Sequence, residues 1–115
     1  MLITALLKRI SNPILVKNSK LARKLNVNAI VLYPFIFFGD KNPDEYIVNH
    51  EFIHILQIKK LGVLKFYILY LYEYIQHRLK KKNHYEAYMA ISFEKEAYAN
   101  QHNLAYNGAE FHKNT

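Results

Sequence analysis

Two histidines four residues apart, His50 and His54, enclose Glu51, Phe52 and Ile53 and constrain this chain more than any other feature. Residues i and i+4 share a face only on a helix, so both imidazoles can reach one partner only if this stretch is helical. The flanking residues favour a helix. Asn42-Pro43-Asp44-Glu45 supplies a capping side chain, a proline for the first turn and acids for the positive end of the dipole. Ile47, Val48, Phe52, Ile55, Leu56 and Ile58 recur at helical spacing, and Lys59, Lys60 and Gly62 mark the far end. The pattern predicts a helix of about four or five turns with the histidines near its middle.

HExxH is a pattern with a chemistry attached. The histidines would hold zinc, which lowers the pKa of a coordinated water to about 7, and Glu51 would take the water's proton during attack on a carbonyl. The expectation is a zinc-dependent hydrolase with Glu51 as the catalytic residue, most simply a peptidase acting on a peptide or protein. The plainer reading is a solvated helix face on which two histidines flank a glutamate.

Two histidines leave the metal short of a third protein ligand. The HExxHxxGxxH solution would need glycine at Gln57 and histidine at Lys60, and is excluded. The other common solution takes a glutamate from a later helix, and Ser92-Phe93-Glu94-Lys95-Glu96-Ala97-Tyr98-Ala99-Asn100 offers two. Glu94 also reads as an acid in the first turn of a helix opened by Ser92.

HExxH followed by Glu-x-x-small-Asp/Asn resembles the gluzincins, the thermolysin-like zinc peptidases. Glu96-Ala97-Tyr98-Ala99-Asn100 matches that pattern in full. The resemblance implies Glu96 as the metal ligand, Ala99 at a close helix approach, and Asn100 as a residue orienting a ligand histidine. Glu94-Lys95-Glu96-Ala97 also fits Glu-x-x-Ala, with Tyr98 where an acid or amide is usual, so Glu94 is the alternative ligand. Tyr98 or His102 would stabilise an oxyanion or touch substrate, as a tyrosine or histidine does in related enzymes. Asn49 to His54, Gln57, Phe66-Tyr67, Tyr70, Glu73-Tyr74 and the SFEKEAYAN run together resemble a group of small zincin-like proteins, over roughly Tyr33 to Tyr106. This implies a fold and a metal site rather than a substrate.

At 115 residues the chain is expected to form one domain, residues 1–115, too small for the two-lobed body of a full-length thermolysin-like enzyme. The site would then be shallow, or a dimer or partner protein would complete it. Half the residues are hydrophobic, which argues against disorder, and the absence of cysteine restricts a metal site to histidine and carboxylate. The run Met1 to Leu7 is apolar but short and lacks the marks of a secretory signal, and no stretch is long enough to span a membrane. A cytoplasmic location is expected.

The fold expected is α+β and predominantly helical: a minimal zincin-like domain with a short edge strand or hairpin followed by three helices. Residues 17–25 form a short helix or exposed turn. Asn28 to Phe38, interrupted by Pro34, reads as an edge strand or hairpin. Ile30 to Phe38 could bind extended substrate by backbone pairing or simply cover the core. Val63 to Lys82 reads as a second helix and Tyr85 to Tyr106 as a third. The second is apolar and aromatic and ends in Arg78-Leu79-Lys80-Lys81-Lys82. Packing on the motif helix is its economical role, and a membrane surface the sharper one.

The net charge is +7, and no recognised nucleic-acid module accompanies it, which argues against nucleic acid as the partner. His77, His84, His102 and His112 lack partner spacing comparable to the motif pair. Two readings compete with the hydrolase. In one, zinc is a non-catalytic tie between helices. In the other, the chain is a basic helical interaction protein for membrane, nucleic acid or protein.

Overall fold

The computed structural model describes residues 13–106; the Met1–Leu7 run and His112 lie outside them. The order of elements is β1 (Ile14–Val16), α1 (Lys20–Lys24), β2 (Ala29–Leu32), β3 (Phe35–Phe38), α2 (Glu45–Leu61), α3 (Val63–Leu79), α4 (His84–Ala90) and α5 (Ser92–Asn100). The fold is α+β and predominantly helical. The sheet order is β1-β3-β2, with β1 parallel and β2 antiparallel to β3, so β2 is an edge strand.

The motif helix α2 runs between the expected punctuation marks. Asp44, rather than Asn42, is the cap: its side chain accepts from the Tyr46 N–H at 2.7 Å. At the other end Gly62, with φ of 91°, turns the chain directly into α3. A side chain at that φ would be strained, which explains glycine there. The apolar positions of α2 divide between layers. Ile55 packs with Ile36 and Phe38 under the sheet, and Ile58 packs with Phe66, Ile91 and Phe93 among the helices. Phe52, expected on the apolar face, is exposed, while Asn49, His50, Glu51, His54 and Gln57 are buried.

Within residues 17–25 the short helix covers Lys20–Lys24 only, capped by the Ser19 side chain. Asn28 to Phe38 is a hairpin whose strands meet in the register Leu32↔Phe35 to Ala29↔Phe38.

Two helix expectations need correction. The helix expected to reach Lys82 stops at Leu79, and Lys81 takes a positive φ of 65°. The single helix expected from Tyr85 to Tyr106 is two helices, broken at Ile91, whose ψ of 129° is extended. The break follows from packing. Ile91 is buried in the helical core, and the Glu73 carboxylate accepts from both the N–H and the hydroxyl of Ser92, each at 2.8 Å. A carboxylate from α3 thus satisfies donors at the start of α5. Three helices after the hairpin become four. No helix among the described residues is long and apolar enough to cross a membrane.

Candidate metal centre

α5 packs across α2 at the level of the motif. The ligand atoms of His50, Glu51 and His54 lie within 4.8 Å of one another. From α5, a single oxygen of Glu94, Oε1, stands 3.0 Å from His50 Nε2 and 3.1 Å from His54 Nε2. The expected preference for Glu96 is therefore reversed in geometry. Two positions apart on a helix, the glutamates point about 200° apart. Glu96 instead accepts from Gln57 Nε2 at 2.8 Å and from the Tyr106 hydroxyl. The small residue at the close approach is Ala97, fully buried, whereas Ala99 is exposed.

The histidines are oriented by two residues that sequence reasoning gave no role. His54 Nδ1 faces Gln57 Oε1 at 2.8 Å, and His50 Nδ1 faces Gln101 Oε1 at 2.8 Å. Gln57 is itself held: its Nε2 donates to Phe93 O and to Glu96, which turns its oxygen toward His54. An amide oxygen calls for an N–H opposite it; with both amides oriented this way, Nδ1 of each histidine carries the proton and Nε2 turns its lone pair toward Glu94. Asn100, expected in this orienting role, instead donates to the Glu96 backbone carbonyl at 2.8 Å. Its side chain satisfies its own helix rather than a histidine.

Three acceptors facing one another need a positive charge between them or on them. In the metal-free protein a proton supplies it. Burial alone would lower the His54 pKa, but the hydrogen bond and charge of Glu94 outweigh burial and push it up to about 9. Burial would likewise raise the Glu94 carboxyl, yet its bonds from His50, His54 and Tyr70 hold it well below the usual carboxylate range. A divalent metal is the other solution. A tetrahedron with bonds of ~2.1 Å has edges of ~3.4 Å, near the separations seen between Glu94 and both Nε2 atoms. Two imidazoles and a carboxylate fit zinc as a donor set.

Around this centre lies a cleft of about 780 Å³. His50, Glu51, His54 and Glu94 line it, together with Ala29 to Leu32 of β2 and the rings of Tyr67, Tyr70, Tyr88 and Tyr98. Tyr70 donates its hydroxyl to the other Glu94 oxygen, Oε2, at 2.6 Å. The Tyr98 ring stands edge-on to His50 with centroids 4.4 Å apart, and its hydroxyl meets that of Tyr88 at 3.1 Å. Burial, reinforced by nearby Glu94, raises the pKa of Tyr70 and Tyr88, so both hydroxyls keep their protons at neutral pH. Burial also raises that of Glu51. His102 is not brought to the centre; it packs on Tyr46. His84 lines the cleft and pairs with the Tyr74 hydroxyl at 2.9 Å.

The β2 edge has a defined polarity. Gly39 N–H bonds Asn28 O at 3.0 Å, so by alternation Ile30 and Leu32 also face β3, while Ala29 and Val31 turn their backbone groups outward. At the far end the Tyr67 hydroxyl donates to Val31 O at 2.9 Å and accepts from Tyr33 N–H at 3.1 Å. The strand-pairing surface expected over Ile30 to Phe38 thus narrows to β2, because β3 is the central strand.

Comparison with known protein families, curated proteins and solved structures returns no match.

Proposed function

We propose that the protein is a minimal zinc-dependent hydrolase of the gluzincin kind, acting on extended peptide substrates in the cytoplasm. The observation that carries this reading is one carboxylate oxygen, on Glu94, placed against both motif imidazoles whose other nitrogens are held as donors. His50, His54 and Glu94 would hold zinc. When bound, it would supply Lewis acidity and lower the pKa of a coordinated water to about 7.

The chain's own groups do the rest. Glu51, raised by burial, is suited to take a proton from the attacking water and return it to the leaving amine. Tyr98 and Tyr88 present protonated hydroxyls to the cleft, where charge develops on a carbonyl oxygen. The outward groups of Ala29 and the Val31 N–H can pair with an extended substrate strand, the Val31 carbonyl being taken by Tyr67. Three protein ligands beside an open cleft favour catalysis over a purely structural zinc, which is normally closed by four.

Mass spectrometry of the intact protein is expected to find about one zinc per chain. Glu51→Gln should keep that zinc while losing hydrolysis of a peptide mixture. Absence of zinc sinks the reading. A Glu51→Gln variant as active as the parent removes Glu51 from the mechanism.

A further inference from the structure

Helix α3 is apolar on two sides. Its inner side gives Phe66 to the core and Tyr67 and Tyr70 to the cleft wall. Its outer side carries Leu64, Ile68, Leu71, Tyr72, Ile75 and Leu79, exposed by 74, 57, 57, 56, 47 and 78 % respectively. At about 100° per residue these six fall within an arc of roughly 100°, one continuous stripe along the helix. Single apolar side chains in water are ordinary, whereas a contiguous stripe marks a surface that meets something else.

The charges beside the stripe indicate what that is. Lys65 and Arg78 fall on its two borders, and Lys80, Lys81 and Lys82 follow the helix end. The one acid of α3, Glu73, points inward to Ser92. A second copy docked on this face would bring two chains of net charge +7 together, basic border against basic border. An anionic lipid surface meets the same residues with opposite charge.

We propose that the outer face of α3 lies on an anionic bilayer, with the stripe in the boundary between headgroups and acyl chains and the basic residues on the headgroups. No helix among the described residues is long and apolar enough to span, so contact is in the plane of the surface. This inference is independent of the metal centre.

Flotation of the full chain with vesicles tests it, using phosphatidylcholine alone or mixed with phosphatidylglycerol. The protein should bind the mixed vesicles, less strongly as salt rises. The double variant L71E/I75E should bind about tenfold more weakly or less. Each of Lys80, Lys81 and Lys82 changed to Gln should weaken binding roughly fivefold. These positions are exposed, so circular dichroism and a thermal melt should show the variants folded. The proposal is overturned if the parent binds neither vesicle, binds phosphatidylcholine alone equally well, or binds no better than L71E/I75E. A dimer that L71E/I75E splits, in a protein that ignores vesicles, overturns it as well and assigns the stripe to self-association.

Discussion

Where α2 meets α5, Asn49, His50, Glu51, His54, Gln57, Glu94 and Glu96 are all buried, none exposed beyond 9 %. On the outer face of α3, six large apolar side chains remain at 47 % exposure or more. Each region reverses the ordinary rule for its location, and the reversals differ in kind. The buried polar groups are nearly all answered by named partners, so their desolvation is offset inside the molecule. The exposed stripe has nothing in the described residues to cover it. The first region is closed in on itself by hydrogen bonds, whereas the second is open to solvent. Neither is how a chain selected for stability alone would place such residues.

The largest expected effect lies at the polar centre. Glu51→Gln should reduce peptide hydrolysis by roughly 10²–10⁴-fold with zinc retained, as read from steady-state rates and metal content. Next is the ligand assignment. Glu94→Gln should lower zinc affinity by at least about a hundredfold in a competitive chelator titration, while Glu96→Gln should leave it little changed. The reverse pattern would restore Glu96 as the ligand and break the geometric reading of α5. The amides that orient the histidines come third: Gln57→Ala and Gln101→Ala should each cost about 10–100-fold in zinc affinity.

Acidity supplies a subtler comparison. In the metal-free protein the His54 pKa is raised from 6.5 to about 9, so the pairing with Glu94 stabilises the fold fully below pH 6.5. That contribution is lost as pH rises through 9. Thermal melts of metal-free protein should therefore fall in midpoint across this window. Zinc bound there would compete with the same proton, so its affinity should rise over this window. The smallest effect belongs to the stripe: Leu71→Glu should shift stability by no more than about 0.5 kcal/mol in denaturant titrations, whereas Ile58→Ala in the core should cost about 2–5 kcal/mol.

What the sequence disclosed and what it hid divide along physical lines. The end of α2 at Gly62 was legible, and its start to within two residues of the Asp44 cap, because caps act through their own backbone neighbourhood. The hairpin was legible from a β-rich run split by Pro34. The break at Ile91 was not, since the carboxylate at the start of α5 comes from Glu73, nineteen residues away. The choice between Glu94 and Glu96 was hidden too, because both satisfy a glutamate-before-small-residue pattern. Which of them faces the histidines depends on which side of α5 meets α2, and buried Ala97 marks that side. With Glu94 as the reference, Tyr98 takes the place where an acid or amide was expected, and its ring packs on His50. The hydrogen bond that such an amide would make comes from Gln101 instead. A lone glutamine three residues after the histidine, and another past the end of a helix, carry no periodic signal.

The Tyr67 phenol straddling Val31 and Tyr33 has a consequence for how this molecule meets its own kind. An exposed sheet edge is a template on which further chains can stack, and the hazard grows with the length of the open rail. Here one hydroxyl occupies an outward carbonyl and an outward N–H, and the next residue, Pro34, has no N–H to offer. A foreign strand can engage the edge only over Ala29 and the near half of Val31, enough to hold a short guest and too little to seed a growing stack.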